Sequence, residues 1–247
     1  MKFEICNLNN MQIDSSVLYL TAASIGFFHT LLGPDHYLPF IVISKARKWS
    51  LLKTNIITFL CGIGHVGSSV LIGFIGILLG IAVNKLTPIE TSRGSVSAWL
   101  MIAFGLVYFI WGLRKALKEK EHVHEHAHSD GTMHLHKHSH FKEHSHIHDK
   151  KSIKELTPWI LFTVFIFGPC EPFIPILLYP AAQSNVFDIL MVTLIFSSVT
   201  VGTMILIVTT SLLGFKLLPK LNLERFMHAI AGATIFLCGI SIQFLGL

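Results

Sequence analysis

Charged residues are scarce in this sequence. Asp, Glu, Lys and Arg make up 13% of the 247 residues, whereas a soluble domain carries about 25%. Hydrophobic residues make up 52%, and the mean hydropathy is +0.62. The chain therefore lacks the polar surface that a water-soluble domain of this size needs, and that class of protein is excluded.

Cysteine pairs are also absent. The four cysteines are Cys6, Cys61, Cys170 and Cys238. They form no Cys-x-x-Cys motif, which excludes a disulfide framework and a zinc ribbon. A cysteine inside a hydrophobic run usually behaves as a small apolar residue. Cys170 is either such a structural residue or a soft metal ligand beside Glu171.

Several functional motifs are missing as well. The first 16 residues lack the basic start, short apolar core and cleavage site of a secretory signal, so we expect the first hydrophobic run to be retained. The sequence contains no nucleotide-binding motif and no His-Glu-x-x-His metalloprotease motif. We therefore expect a protein that is not an enzyme and has no permanently bound cofactor.

The hydrophobic residues are concentrated in six runs. Each is long enough to cross a hydrocarbon core of about 30 Å. We expect helices, because the backbone polar groups inside a membrane must be satisfied internally. The sequence thus predicts an all-α polytopic membrane protein with six spans, near residues 17–44, 54–82, 95–113, 156–182, 187–215 and 225–246.

The basic residues predict the orientation of these spans. Of the 19 Lys and Arg residues, 16 lie after the first span, between the third and fourth spans, or just before the last one. Positive loops of membrane proteins face the cytoplasm, so both termini are expected outside a plasma or inner membrane. This distribution accounts for the net charge of +5, and we do not expect nucleic-acid binding.

The two halves of the chain resemble each other. Gly33–His36 in the first span matches Gly168–Glu171 in the fourth, and prolines follow both motifs. We expect residues 1–117 and 155–247 to form a 3+3 inverted repeat, because each half has an odd number of spans. The prolines should open the fourth helix near the middle of the membrane. The third and sixth spans also share glycines seven residues apart, at Gly105 and Gly112 and at Gly232 and Gly239.

Two acids and three histidines lie inside the predicted spans. Asp35 and Glu171 are the only acids expected well inside a span. A charge in the membrane costs at least about 2.5–3.5 kcal/mol, and no Lys or Arg is expected at that depth, so a bound cation or a shared proton is the natural partner. Imidazoles indicate a transition metal rather than Mg²⁺ or Ca²⁺; the histidines are His29, His36 and His65.

The spacing of His29 and His36 limits how both can bind one ion. In a continuous helix they would lie about 10 Å apart along the axis, further than ligands at about 2 Å from one ion can span. One solution is that the helix unwinds at Gly33–Pro34. The other is that His29 guards the entrance while Asp35 and His36 bind. His65 would then complete the shell from the next helix.

A histidine-rich segment separates the two halves. Residues 118–154 contain few apolar side chains, so we expect a disordered cytoplasmic loop. Such tracts indicate metal binding, and alternate side chains of an extended chain share one face; a pH-sensing or merely solvated tract is the alternative. The histidines are His122, His124, His126, His128, His134, His136, His138, His140, His144, His146 and His148.

The residues around the membrane histidines resemble a known family. His29–His36 resembles the His-x4-Asp-His signature of the nickel/cobalt transporter superfamily, with one extra residue before Asp35. Gly64–Val70 resembles the second signature of that family, a Gly-His followed by Ser or Thr and Val. Nickel/cobalt efflux proteins of the superfamily also carry a histidine-rich loop, and the UreH-like membrane proteins share the six-span form.

We therefore expect a proton-coupled secondary transporter of a divalent transition metal, with Ni²⁺ or Co²⁺ as substrate and export favoured over import. Asp35, His36 and His65 would bind the ion, and Glu171 would face them from the second half. The expected partners are the lipid bilayer and the metal, with a homo-oligomer as a further arrangement.

Two alternatives are open. The first is a membrane metal sensor or urease-accessory-type protein that does not transport. The second is a sulfur-compound or thiol carrier of TauE or CcdA type, since Gly168–Pro172 resembles the Pro-Cys segment of CcdA-type carriers. An anion site should show an intramembrane Arg or Lys, and a thiol carrier should show paired cysteines; neither is expected here.

Overall fold

Helices account for most of the described chain. The structure is a computed structural model that describes residues 14–80, 83–118, 122–127, 133–138, 150–170, 172–183, 185–217 and 224–246. The α-helices in these residues are α1 Ser15–Leu32, α2 Leu38–Arg47, α3 Leu51–Leu78, α4 Val83–Lys118, α5 Lys150–Phe167, α6 Phe173–Ala182, α7 Val186–Leu217 and α8 Met227–Ile240.

Among the described residues, five helices are long and apolar enough to cross a membrane, which confirms the helical membrane-protein class. They are Ser15–Leu32, Leu51–Leu78, Lys85–Lys118, Val186–Gly214 and Glu224–Leu245. Large apolar side chains cover the outside of the helices; Leu32 and Leu78, for example, are 71% and 82% exposed. So large an apolar surface suits lipid rather than water.

Two predicted spans are interrupted at the matching Gly-Pro motifs. A 3₁₀ turn at Pro34–His36 separates α1 from α2, and the segment between Phe167 and Phe173 separates α5 from α6. The fourth span is therefore two short helices. Pro175 and Pro180 lie within α6 and do not interrupt it; Pro175 is in the first turn, where an N–H has no partner inside the helix.

The third predicted span begins earlier than expected. α4 starts at Val83 rather than near residue 95, and its first turns carry Glu90 and Arg93. Glu90 is completely buried and forms an i,i+3 ion pair with Arg93. The helix that contains the third predicted span therefore also carries a buried acid and an Arg, before the first residue of that span. Their pairing offsets part of the cost of burying each charge.

The histidine-rich segment contains a β-hairpin where we expected disorder. Strand β1 (His122–Ala127) pairs antiparallel with strand β2 (Met133–His138). The alternation of histidine with other residues has the period of two that a strand requires. The register places histidine opposite histidine at His122 and His138, His124 and His136, and His126 and His134. The other histidines of the segment, His128, His140, His144, His146 and His148, lie outside the described residues.

Glycines permit a close helix contact between α4 and α8. A Cβ atom added at Gly105 would lie 2.4 Å from the backbone nitrogen of Phe236, and one at Gly232 would lie 2.2 Å from that of Phe109. The two other glycines shared by the third and sixth predicted spans make similar contacts. The two backbones can meet because these residues have no side chain.

We expect Gly232→Val to destabilise the protein, because the facing backbone cannot move aside as a flexible side chain could. Overpacking typically costs about 1–3 kcal/mol. Gly202→Val on α7 is the matched control, since nothing lies within 4 Å of a Cβ added there. Thermal unfolding of the purified protein in detergent tests this, and equal unfolding temperatures for the two variants would contradict the packing.

Candidate metal centre

Three histidines come together at the first interruption. His29 lies in the last turn of α1, His36 in the 3₁₀ turn, and His65 in the middle of α3. One ligand atom from each of the three rings lies within 4.8 Å of the other two. His36 and His65 are buried, each only 3% exposed, and His29 is partly buried. We call these three residues the histidine group.

The unwound chain explains how His29 and His36 can meet. α1 ends at Leu32, and the following Gly33 is extended with φ −89° and ψ 93°. As a result the ring centroids of His29 and His36 are 4.8 Å apart, instead of about 10 Å along a continuous helix. Of the two arrangements derived from the spacing, the structure has the unwound one, which includes His29 in the group.

Both Gly-Pro motifs lie directly against the imidazoles. A Cβ atom at Gly33 would lie 2.6 Å from Nδ1 of His36, and one at Gly168 would lie 2.8 Å from Nδ1 of His65. Any side chain at either glycine would therefore displace a ring. The two matching motifs thus approach the same site from the two halves of the chain.

Hydrogen bonds at Nδ1 orient two of the rings. Nδ1–H of His36 donates to the carbonyl of Gly33 at 3.1 Å and to Oδ1 of Asp35 at 3.2 Å. Nδ1–H of His65 donates to the carbonyl of Phe165 at 3.3 Å. Because one nitrogen carries the proton in each neutral ring, Nε2 is left with a free lone pair.

Two of the Nε2 atoms have no partner among the residues that the structure describes. Nε2 of His29 and Nε2 of His36 are buried, and no described residue forms a hydrogen bond with either. A buried polar atom without a partner is rare in native structures and requires an explanation. An ion between the rings would provide one.

The remaining predicted ligands lie around this group. The carboxylate of Asp35 accepts a hydrogen bond from Nδ1 of His36, the ring nitrogen opposite the free Nε2, and its side chain is 22% exposed. A carboxylate in that position fixes the orientation of a ligating histidine and raises its basicity. Cys170 lies on the other side, where its Sγ–H donates to Nε2 of His65 at 3.4 Å. Glu171 lies outside the described residues.

The dimensions of the group are close to those of a metal site. Nitrogen ligands at 2.0–2.1 Å from one tetrahedral ion lie about 3.3 Å apart. The ligand atoms here are at most 4.8 Å apart, so shifts of about 1 Å would bring them to that separation. Three imidazoles suit nickel, cobalt, copper, zinc or iron rather than magnesium or calcium.

The sequence analysis missed an ion pair beside the group. Glu90 accepts hydrogen bonds from the hydroxyl of Ser69 at 3.1 Å and from the backbone N–H of Cys170 at 3.3 Å. Arg93 pairs with Glu90 and donates to the two carbonyls at the end of α5. The sequence did contain a signal for this ion pair, since Glu90 and Arg93 are opposite charges three residues apart. Their low hydropathy, however, placed them outside the predicted span.

Comparison with known proteins gives no family assignment, so the class of this protein rests on its fold and its site. The chain matches no protein-family model, and neither a curated protein nor a solved structure is significantly similar to it. The described residues define a helical membrane protein with a buried group of three histidines at an interrupted helix.

We expect His36→Gln to weaken Co²⁺ binding by at least about tenfold, the lower limit seen when even an outer partner of a metal ligand is lost. His228→Gln is the matched control, because Nδ1 of His228 lies 2.8 Å from the hydroxyl of Tyr108 and outside the histidine group. Both variants should lack residues 122–148, so that the histidine-rich segment binds no metal. Equal Co²⁺ affinities of the two variants in equilibrium dialysis would show that the histidine group is not the binding site.

Proposed function

We propose that this protein carries a divalent transition metal, Ni²⁺ or Co²⁺ first, across the membrane through His29, His36 and His65. The observation that supports this most is the pair of buried Nε2 atoms that have no hydrogen-bond partner within the described part of the chain. Leaving a buried polar atom unpaired costs about 1–3 kcal/mol, and a bound cation would remove that cost. The resemblance of His29–His36 and Gly64–Val70 to nickel/cobalt transporter signatures supports the choice of metal.

We further propose six crossings arranged as a 3+3 inverted repeat. Each half has an interrupted helix followed by two helices that are long enough to cross a membrane: α1 and α2, then α3 and α4; α5 and α6, then α7 and α8, which with its flanking turns covers Glu224–Leu245. In this arrangement α5 and α6 together make the crossing that neither can make alone. Secondary transporters place their substrate sites where such interrupted helices of two repeats meet.

A polar face on α3 supports movement of the ion rather than static binding. Buried polar residues recur along this face at helical spacing: Thr54, Thr58, His65 and Ser69. No residue that the structure describes forms a hydrogen bond with the hydroxyl of Thr58. Aliphatic residues usually fill such buried positions. A polar face that continues in both directions from His65 suits a path for a cation.

The direction and the driving force follow from the same proposal. With the positive segments inside, residues 118–154 face the cytoplasm and both termini lie outside. The hairpin pairs histidine with histidine at three positions, so it would collect metal inside the cell for export. A proton flux is the proposed driving force, with Asp35 as a proton acceptor beside His36.

Carriers of anions or dithiols are less well supported. An anion site needs a cation with donors to spare, but Arg93 is bound to Glu90, Ser68, Ser69 and two backbone carbonyls. A dithiol carrier needs paired cysteines, but Asp35 occupies the position in the first Gly-Pro motif that matches Cys170 in the second. The second candidate is a metal sensor without transport, which the hairpin favours because it could bind metal by itself.

Metal flux into proteoliposomes tests the proposal. We expect Asp35→Asn to lower Ni²⁺ or Co²⁺ flux about 10–100-fold, because the ring of His36 loses its carboxylate partner. Deleting residues 122–148 should reduce the flux without abolishing it. Asp188→Asn is the matched control, since this acid bonds to Tyr19 and Asn185 and not to the histidines.

Undiminished flux in Asp35→Asn would contradict a path through the histidine group. Metal bound by the hairpin with no flux in the unaltered protein would favour the sensor instead.

A further inference from the structure

Cys170 faces the histidine group from the second interruption. It is completely buried, and its Sγ lies 3.4 Å from Nε2 of His65. This Nε2 is the nitrogen that the carbonyl of Phe165 leaves free by binding Nδ1. Cys170 also packs in an apolar cluster with Phe173 and Leu177. Its sulfur nevertheless faces the nitrogen of His65 that has a free lone pair.

An ion pair on α4 holds the segment that carries Cys170. An interrupted helix leaves carbonyl groups without partners at one end and N–H groups at the other. Arg93 donates to the carbonyls of Ile166 and Gly168, at 2.7 Å and 3.4 Å. Glu90 accepts the N–H of Cys170 at 3.3 Å. The two charges therefore satisfy both sides of the same interruption.

The contact between α4 and this segment is close. A Cβ atom at Gly94, next to Arg93, would lie 2.8 Å from the ring of Pro169. On its other side the segment touches the ring of His65 through Gly168. The position of α4 therefore sets the distance between the sulfur of Cys170 and the histidine group.

We propose that Cys170 is the fourth ligand of the metal, bound as a thiolate, and that Glu90 and Arg93 are positioning residues that hold it there. This inference rests on the proposed metal function. On binding, a sulfur–metal bond forms and the thiol proton is released to water. Three imidazoles and a thiolate select borderline and soft ions such as Co²⁺, Ni²⁺ or Zn²⁺ against Mg²⁺, Ca²⁺ and Mn²⁺.

Co²⁺ titration of the purified full chain tests the ligand. Thiolate-to-cobalt charge transfer absorbs in the near ultraviolet and arises only from cysteine, so histidines of the 118–154 segment cannot produce it. We expect this band in the unaltered protein and its loss in Cys170→Ser, while the visible bands of histidine-bound Co²⁺ persist. Cys61→Ser is the matched control, because Cys61 is equally buried and one turn from His65 on α3.

The double variant Glu90→Leu with Arg93→Met tests the positioning residues. Removing both members of a buried pair leaves no isolated charge. Because the carbonyls of Ile166 and Gly168 lose their donor, the unfolding temperature of the variant is measured alongside, and spectra are compared on folded protein. We expect Co²⁺ affinity to fall about 10–100-fold, as for other partners that orient a ligand, and the charge-transfer band to weaken at saturating Co²⁺. A purely structural pair would leave the band of the bound metal unchanged.

The outcomes separate the two proposals. Co²⁺ bound at the histidines without a charge-transfer band, or a band that disappears in Cys61→Ser instead, overturns the role of Cys170 and leaves the metal function standing. An unchanged band in the double variant overturns the role of Glu90 and Arg93. Spectra of the unaltered protein and His36→Gln that are identical contradict the metal function, and the ligand assignment falls with it.

Discussion

Peptide groups inside a membrane have no water to bind, so each interrupted helix must find partners for its free carbonyl and N–H groups within the protein. At the first interruption the partners are local, because the carbonyl of Gly33 accepts hydrogen bonds from both the backbone N–H and the Nδ1–H of His36. At the second interruption α4 supplies the partners, through Glu90 and Arg93. Both solutions bring polar side chains into the bundle, and the histidine group lies where the two interruptions approach each other.

The surroundings of the site combine rigid and adaptable parts. His65 lies at the boundary between two apolar clusters: Phe165 belongs to one and Cys170 to the other. These clusters and the close glycine contact of α4 with α8 fix the long helices. His29, His36 and Cys170, in contrast, lie at or next to unwound segments, where small backbone changes are less costly than inside a packed helix. An ion could therefore draw its ligands together without disturbing the scaffold.

Hydropathy and proline placement were sufficient to predict the helical membrane class and the two interruptions, because both depend on local chemistry. A group of histidines inside the bundle could also be expected, from imidazoles at positions where lipid would exclude them. What could not be predicted depended on tertiary pairing. Glu90 and Arg93 lower the hydropathy of their own segment, and only their mutual contact shows why the helix extends through them. His29 joins the histidine group only because the chain unwinds at Gly33, and the spacing of the histidines did not decide this. The hairpin depends on a strand register that spacing alone does not fix.

The central claim is that a transition metal binds between the two interruptions. The most direct test is a structure of the protein with Co²⁺, with the metal located by its anomalous scattering. The account predicts a peak within about 2.1 Å of one nitrogen from each of His29, His36 and His65. Peaks confined to the histidine-rich segment 118–154, with no metal among the three rings, would contradict it.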